Sequence, residues 1–417
     1  MGARDETARG VPLPARRPIA RAGERCCNRA MQARTGLVLT GGGARAAYQT
    51  GVLDGVRRLL LEAGWPRERN PFAVVTGTSA GAINAAAFAA RADTWPESVE
   101  RLVSVWASFS PDQVYRVDAR GSARNAAHWI STLAFGWAVR SRPRSLFDNT
   151  PLAQLLARMI DPARLRGVID AGCVDALAVT ASSYTSGQHV TYYESRDPVP
   201  PWYRTQRLSC PATIGVEHLL ASSAIPFVFP AVPLALGERS EYFGDGSIRQ
   251  TSPLAPAIHL GADRLLVIGA GQIQRAALHA DHTGSQFTYP SLAQIGGHAM
   301  SSIFLDALAS DIERLVRVNR TLALIPPAER ERSGLRHVDL LVISPSRRLD
   351  ALATRHVRQL PWTTRATLRV LGATDARGAG LSSYLLFDRH YTRRLIALGR
   401  RDARDARADV LRFFGLG

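Results

Sequence analysis

The sequence predicts an α/β fold with a mostly parallel sheet that is covered by helices. Residues 36–40 are a short apolar run, followed by a glycine-rich loop and then by apolar residues at helical spacing. Residues 74–76 are a second β-branched run, followed by small helix-forming residues at 80–90. Because parallel neighbours need a crossover between them, two successive strand–loop–helix units indicate a parallel sheet.

Composition sets the broad class of the protein. The chain has 417 residues, of which 46% are hydrophobic and 21% are charged, an ordinary globular balance. No apolar run reaches the roughly 18–20 residues of a membrane span. The formal net charge is +17, and the basic residues behind it are all arginine and dispersed along the chain. We therefore expect no nucleic-acid partner, while peripheral contact with an anionic membrane face stays open.

Cysteine usage points to a reducing compartment. The four cysteines, Cys26, Cys27, Cys173 and Cys210, show no C-x-x-C spacing. A disulfide framework or a zinc site is therefore not indicated. The N-terminal residues have no apolar core of the kind a secretory signal needs. We expect a cytoplasmic protein, with peripheral contact at the inner membrane face as an option.

The chain divides into three predicted regions. Residues 1–34 are rich in Arg, Pro, Ala and Gly and lack hydrophobic periodicity, which predicts a disordered extension. Residues 35–275 carry the strand and helix patterns of the α/β domain, including a strand pair at 176–180 and 189–193. Residues 276–417 are predicted to be mainly helical and to pack on that domain, with a helix at 292–318 and a late strand at 338–343.

A serine lies between the second predicted strand and the helix after it, in the pattern G-x-S-x-G. Ser79 is flanked by Gly77 and Gly81. A strand that turns sharply into a helix needs small residues beside the corner and leaves the corner side chain exposed. Free N–H groups at the start of the helix stabilise negative charge that develops there. Ser79 is therefore a candidate nucleophile.

The glycine-rich loop after the first strand has two interpretations. Gly41, Gly43 and Ala46 match the dinucleotide fingerprint G-x-G-x-x-G/A, but no acidic residue ends the second strand to bind a ribose. Glycine N–H groups are equally suited to holding a tetrahedral oxyanion, and Arg45 adds positive potential nearby. On the residues alone, both an oxyanion hole and a nucleotide site stay open.

A serine nucleophile needs a base, and the chain offers two kinds. Asp245 ends a predicted strand directly before Gly246, at the sheet edge where catalytic groups collect. His259 and His298 follow it, so a Ser-Asp-His triad is also available in chain order. Residues 279–282 hint at metal spacing but lack a third ligand, so we expect neither a metal nor a cofactor.

Three motifs occur in the order G-G-G-A-R-A, G-T-S-A-G and D-G-S. In that order they resemble the patatin-like phospholipase family, and residues 221–226 and 253–258 are also similar to its bacterial members. The resemblance covers roughly residues 35–270. It implies a three-layer α/β/α sandwich, followed here by a helical C-terminal region, and a Ser–Asp dyad without histidine.

The resemblance assigns roles to individual residues. Ser79 matches the nucleophile and Asp245 matches the base. The oxyanion loop is matched by Gly41, Gly42, Gly43, Ala44 and Arg45. The chain departs from the family at Ala46, where glycine is usual, and at Ser247 after Gly246, where glycine or alanine is usual. Neither departure removes a reacting group.

The implied activity is that of a lipid acyl hydrolase of phospholipase A or lysophospholipase type, acting in lipid catabolism on a phospholipid or another acyl lipid. An esterase with a Ser-Asp-His triad and a nucleotide-binding oxidoreductase built on the Gly41 loop are the alternatives. A non-catalytic, membrane-associated scaffold is a third, but it would not call for all three motifs. Head group, acyl length and oligomeric state are not indicated by any motif.

Two stretches of the chain carry apolar residues that bear on where an acyl chain would bind. Residues 91–165 carry scattered aromatics, which are usual in a core or lid and alternatively line an acyl-chain pocket. These aromatics are Trp106, Phe109, Trp129, Phe135 and Trp137. Residues 227–229, which follow Pro226, are expected to pack inside rather than rim a lipid entrance.

Overall fold

Ten strands form one mixed sheet in the computed structural model, which describes residues 33–116, 145, 147–272, 292–354, 356 and 379–417. They are β1 Thr35–Leu39, β2 Val74–Thr78, β3 Ala176–Ser183, β4 His189–Ser195, β5 Tyr203–Arg204, β6 Arg207–Pro211, β7 Val232–Leu236, β8 Arg239–Asp245, β9 Arg264–Ile268 and β10 Asp339–Ile343. The order across the sheet is β10-β9-β1-β2-β3-β4-β6-β5. The strands from β10 to β3 run parallel, β3 and β4 form an antiparallel hairpin, and β8 pairs with the end of β3 and with β7.

Thirteen α-helices lie between and after the strands in the described part of the chain. They are α1 Ala47–Glu62, α2 Ala80–Ala89, α3 Trp95–Ala107, α4 Thr150–Met159, α5 Pro162–Asp170, α6 Val216–Ser222, α7 Ala255–His259, α8 Leu292–Leu324, α9 Pro327–Arg332, α10 Leu349–Ala353, α11 Ala379–Leu385, α12 Arg389–Asp405 and α13 Arg407–Phe414. None of these described helices is long and apolar enough to cross a bilayer.

The helices cover both faces of the sheet. In β1, Leu37 and Leu39 belong to a core shared with α1, α2, α3 and α12, whereas Val38 belongs to a second core shared with α7 and α8. This alternation follows from the strand geometry, in which successive side chains point to opposite faces. The result is a three-layer α/β/α arrangement with a mostly parallel central sheet, and the predicted fold class is confirmed.

The C-terminal residues share the sheet and a core with the earlier part of the chain. β10 pairs in parallel with β9. A Cβ added to Gly51 of α1 would collide with the backbone of Ile396, and one added to Gly399 of α12 would collide with that of Tyr48. α1 and α12 therefore lie in backbone contact. The sheet and the core run across the boundary predicted at residue 275, and the division into domains stays a prediction.

The predicted elements that fall on described residues agree with the structure. The strands at 36–40 and 74–76 are β1 and β2, and the strand pair is β3 with β4. The helix predicted at 292–318 continues to Leu324 as part of α8. Several predictions concern residues outside the described ranges: almost all of the extension 1–34, the segment 279–282, and Trp129, Phe135 and Trp137.

Candidate active site

Ser79 lies at the corner between β2 and α2 in a strained backbone conformation. Its φ is 56° and its ψ is −132°, a combination that residues with a side chain seldom adopt. Such a conformation costs on the order of 1–3 kcal/mol and persists only where its surroundings hold it. The Ser79 N–H donates to Ser222 Oγ at 2.9 Å, and the Ser222 hydroxyl donates to the Thr180 carbonyl at 2.6 Å. α6 and β3 therefore hold the corner from outside the motif.

The two glycines beside Ser79 are required by close backbone approach. A Cβ on Gly77 would collide with the Gly81 carbonyl and would lie 2.5 Å from the Ala82 Cα. A Cβ on Gly81 would collide with the Leu39 carbonyl and would lie 2.5 Å from the Thr40 carbonyl oxygen. β1, β2 and the first turn of α2 are packed too closely here for any side chain.

Asp245 is the last residue of β8 and is fully buried. β8 pairs with the end of β3, and β3 is the neighbour of β2, so the sheet brings Asp245 to Ser79. Ser79 Oγ donates to Asp245 Oδ2 at 2.5 Å, and the Ser247 N–H donates to Oδ1 at 2.8 Å. Both carboxylate oxygens have a donor, and one of these donors is the candidate nucleophile.

The burial of Asp245 changes its acidity. Burial raises the pKa of this carboxyl from its ordinary 3.8 to about 6, and the hydrogen bonds from Ser79 and Ser247 oppose the rise only in part. At neutral pH the group is still ionised, and it is a stronger base than an exposed aspartate. Gly246 is also constrained, because a Cβ there would collide with the Thr180 carbonyl oxygen.

The glycine-rich loop lies beside Ser79. Gly41 and Gly42 follow β1, and Gly43–Ala46 forms a single 3₁₀ turn. Gly43 has φ 53°, which suits glycine, and it lines the same cavity as Ser79. The first N–H groups of a helical turn have no acceptor earlier in that turn, so an oxyanion is the kind of acceptor they suit.

Arg45 directs its side chain to the C-terminal region. Its Nε and Nη2 donate to Ser383 Oγ at 2.8 and 2.6 Å, and its Nη1 donates to Tyr384 Oη at 3.1 Å. The guanidinium carbon lies 3.9 Å from the centroid of the Tyr384 ring. The predicted contribution of Arg45 and of Ala44 to an oxyanion hole stays a prediction.

An apolar cavity opens beside Ser79 and comprises about 550 Å³ of empty space, including its open mouth. α3 contributes Val105 and Trp106 to its wall, Phe109 follows that helix, and α4 contributes Leu152, Leu155 and Met159. The polar groups on this wall are few, and Ser79 is one of them. The cavity has the shape and chemistry of a site for an apolar chain that carries a reactive group at one end.

The loop that follows Pro226 contributes to this cavity and corrects one prediction. Val228 and Phe229 are buried as expected, and Phe229 lines the cavity. The prediction that residues 227–229 all pack inside is wrong for Phe227, which is 71% exposed. The backbone of Phe227 takes φ 66°, and the resulting turn places its side chain at the surface.

The sequence of the chain matches a family model. The model describes patatin-like phospholipases and matches residues 37–258, more than half of the chain. The chain belongs to the patatin-like phospholipase family. Among solved structures it is similar to VipD from Legionella pneumophila, at 13% identity and a TM-score of 0.29, over 82% of this chain and 68% of that chain. No curated protein matches its sequence.

Membership of the patatin-like phospholipase family places the chain among lipid acyl hydrolases. The matched residues include the glycine loop, Ser79 and Asp245. This finding favours the hydrolase interpretation of the glycine loop over the nucleotide-binding oxidoreductase, for which the loop already lacked a ribose partner.

No histidine hydrogen-bonds to Ser79 or Asp245 among the described residues of this patatin-like chain. His259 stacks on the Trp202 ring with the centroids 4.7 Å apart, and His298 is exposed on α8. Within the same described ranges, no cluster of acidic, histidine and cysteine side chains is suited to a metal ion.

Three polar residues that the sequence analysis does not single out support the site. One is Ser222, and it lies in the segment 221–226 that contributes to the family resemblance, so a signal was present. The others are Gln49, whose Nε2 donates to the Thr40 carbonyl at 2.8 Å, and Asn84, whose Nδ2 donates to Gln49 Oε1 at 3.0 Å. Trp106 Nε1 in turn donates to Asn84 Oδ1 at 2.8 Å. These contacts link the glycine loop, α2 and the cavity wall, and no sequence motif predicts them.

Proposed function

We propose that this chain is a serine lipid acyl hydrolase in which Ser79 and Asp245 form the catalytic dyad. The observation that carries the proposal is the direct hydrogen bond from Ser79 Oγ to Asp245 Oδ2, 2.5 Å long, beside an apolar cavity. A serine with a base already in hydrogen-bond reach meets the geometric requirement of nucleophilic catalysis. The raised pKa of Asp245 supports the same assignment, since it makes the carboxylate a better base near neutral pH.

In the first half-reaction, Ser79 Oγ attacks the ester carbonyl carbon while its proton passes to Asp245. A new C–O bond forms, and the carbonyl electron pair moves onto the oxygen. When this tetrahedral intermediate collapses, the bond to the alcohol breaks. The alcohol leaves with the proton held by Asp245, and the fatty acyl group stays on Ser79 as an ester.

In the second half-reaction, water replaces the alcohol. Asp245 takes a proton from the water as its oxygen attacks the acyl carbon. The second intermediate collapses with cleavage of the bond to Ser79 Oγ, which recovers the proton from Asp245. A fatty acid is released and both residues return to their initial states, so no other co-reactant is needed.

The oxyanion in both steps is assigned to the glycine loop. Its N–H groups begin a 3₁₀ turn beside Ser79, and the N-terminus of α2 adds a favourable dipole. Preorganised donors of this kind are effective because they need no rearrangement when charge develops. Losing one of them typically costs about 10²–10³ in rate.

The cavity indicates the class of substrate. Its walls of Leu, Met, Trp and Phe side chains suit a fatty acyl chain, with the ester carbonyl held at Ser79 and the head group left outside. Phospholipids, lysophospholipids and neutral glycerides share this chemistry. The formal net charge of +17 favours peripheral contact with an anionic lipid surface, such as the inner face of a membrane.

Lipid hydrolysis by purified variants tests the proposal. Fatty-acid release is measured by mass spectrometry from vesicles of phosphatidylcholine, lysophosphatidylcholine or phosphatidylglycerol, and from a triglyceride emulsion. The wild type is expected to release fatty acid from at least one of them, and Ser79→Ala is expected to release none. His259→Ala is the control and is expected to retain activity. Release by Ser79→Ala at the wild-type rate would contradict the proposal, and loss in His259→Ala would favour the triad.

A further inference from the structure

A buried segment far outside the family match contacts the glycine loop. This segment, residues 382–387, includes the end of α11, and all six of its residues are at most 6% exposed. The family model ends at residue 258, and none of the chemistry assigned above uses residues 382–387. Their contacts nevertheless converge on the loop that is assigned to the oxyanion.

The first contact is made through Arg45. Ser383 Oγ accepts hydrogen bonds from Nε and Nη2 of Arg45, and the Tyr384 hydroxyl accepts one from Nη1. The Tyr384 ring also lies against the guanidinium, 3.9 Å from its carbon to the ring centroid. A guanidinium is a planar, rigid fork, so acceptors on its edge and a ring on its face fix its orientation. Because Arg45 is 5% exposed, water does not compete for these contacts.

The second contact is between backbones. A Cβ added to Gly43 would collide with the Tyr384 carbonyl oxygen and would lie 3.1 Å from its carbonyl carbon. The Gly43 backbone therefore lies directly on the backbone of the 382–387 segment. The same segment reaches the reacting side of the site, because Phe387 lines the cavity together with Gly43 and Ser79.

These contacts matter because oxyanion donors are effective only within a narrow range of distance, about 2.7–3.1 Å from the developing charge. Consecutive glycines give a loop more backbone freedom than any other residues, so the loop needs an external support. Arg45 is the last residue of the predicted oxyanion loop, directly after Gly43 and Ala44, and its anchored side chain limits where the backbone of the loop can lie.

We propose that the 382–387 segment is part of the catalytic machinery, with Ser383 and Tyr384 as positioning residues that hold Arg45 and thereby the oxyanion donors of the glycine loop. This inference rests on the proposed acyl hydrolase function. It assigns to Ser383 and Tyr384 a role in transition-state stabilisation, which is separate from the contribution of Phe387 to the cavity wall.

The test compares kcat with KM for a nitrophenyl fatty-acyl ester, using the full-length protein. Ser383→Ala removes the acceptor of two Arg45 donors. We expect kcat to fall at least about tenfold while KM stays within about twofold, because the lost interaction acts on the transition state. Affinity for an alkyl trifluoromethyl ketone, which forms a tetrahedral adduct with Ser79, is expected to fall by the same factor as kcat/KM.

Two further variants accompany this measurement. Ser346→Ala is the matched control, since Ser346 Oγ donates to Asp402 Oδ1 at 2.7 Å in the same C-terminal region and its hydrogen bonds go to Asp402 rather than to Arg45. It is expected to leave kcat, KM and inhibitor affinity unchanged. Tyr384→Phe keeps the ring under Arg45 and removes one hydroxyl, so it keeps the test valid if Ser383→Ala does not fold. It is expected to lower kcat by a smaller factor, again without a change in KM.

The outcomes separate the inference from the function on which it rests. A wild-type rate for folded Ser383→Ala and Tyr384→Phe, or a fall shared by Ser346→Ala, would overturn the positioning role and leave the hydrolase intact. A rise in KM without a change in kcat would overturn it as well. If the wild type hydrolysed no acyl ester and did not bind the ketone, the proposed function and this inference would both be wrong.

Discussion

The serine corner and the glycine loop are held in place by different parts of the chain. Ser79 is held by residues that all lie within the family match: Gly77 and Gly81 allow β1, β2 and α2 to approach, and Ser222 of α6 accepts a hydrogen bond from its N–H. The glycine loop is instead held through hydrogen bonds from Arg45 to Ser383 and Tyr384. These two residues follow Arg45 in the sequence by 338 and 339 positions. The contacts that hold the proposed nucleophile thus lie within the family-matched residues, whereas the proposed oxyanion loop also contacts the C-terminal region.

The two regions also differ in how much their features oppose folding. The corner combines a strained backbone at Ser79 with the fully buried carboxyl group of Asp245. Both are unfavourable for folding, and both are useful for attack on an ester. The buried charge of the glycine loop is the Arg45 guanidinium, which donates hydrogen bonds to Ser383 and Tyr384, and the glycines beside it mainly need restraint of their backbone. Substitutions at the corner should therefore trade stability against activity, and those at the loop should mainly affect rate.

Asp245→Asn should have the largest effect on activity. It keeps the shape of the side chain but removes the base, and kcat/KM is expected to fall about 10⁴-fold, as for the loss of an acid partner in other serine hydrolases. Ester hydrolysis at pH 8 measures this fall. Asp170→Asn, on the exposed end of α5, is the control and should keep the wild-type rate.

Asp245→Asn should also raise the free energy of unfolding, by an amount that depends on pH. Burial raises the pKa of Asp245 from 3.8 to about 6, so its ionisation opposes folding from about pH 3.8 upward and reaches its full cost above about pH 6. That cost is about 3 kcal/mol, at about 1.4 kcal/mol per pKa unit. Asp245→Asn is expected to melt at a higher temperature than the wild type at pH 8, with a smaller gain at pH 5. An equal or lower melting temperature at pH 8 would contradict the assigned cost of burial.

Gly43→Ala should lower kcat about 10²-fold, the typical scale for a lost oxyanion donor. The added Cβ would meet the Tyr384 carbonyl at a backbone φ of 53°, so the loop must move. Gly64→Ala is the matched control, because Gly64 has φ 86° but no atom within 4 Å of an added Cβ. It should cost stability, by about 1 kcal/mol, and leave kcat unchanged. Equal kinetics for the two variants would show that the contact with Tyr384 is unimportant for catalysis.

Ser222→Ala should have a smaller effect at the corner itself. It leaves the buried Ser79 N–H without its acceptor, at a cost of about 1–3 kcal/mol, and lets the strained backbone relax. We expect kcat to fall about tenfold. Ser98→Ala, which removes a buried hydroxyl bonded to the Phe88 carbonyl, is the comparison. If both variants lowered kcat equally, the role of Ser222 would be only structural.

The pH dependence of kcat/KM should show an effect of about the same size. The proposed dyad requires ionised Asp245 as the base, and burial raises the pKa of this carboxyl to about 6. The rate is therefore expected to be constant above about pH 7 and about tenfold lower at pH 5. A profile that stays flat down to pH 4.5 would be inconsistent with an aspartate in this environment.

Much of the fold and of the corner could be predicted from the sequence, because the signals are local. β1, β2 and α2 are continuous apolar or small-residue runs, and Ser79 is marked by its glycines. Asp245 ends a predicted strand directly before Gly246, and the resemblance of the D-G-S segment to the third motif of the family predicts that it is the base. The contacts of Arg45 could not be found in this way, since Ser383 and Tyr384 belong to a short helix without a motif. Only the tertiary fold brings that helix to the loop.

Phosphonylation by a fluorophosphonate, with the labelled peptide mapped by mass spectrometry, tests the central claim most directly. The dyad predicts a label on the peptide that contains Ser79. It also predicts that labelling slows at least about 10³-fold in Asp245→Asn and proceeds at the wild-type rate in His259→Gln, since losing the base removes most of the activation. A label on another residue, or wild-type labelling of Asp245→Asn, would contradict the claim that Ser79 and Asp245 act as a dyad.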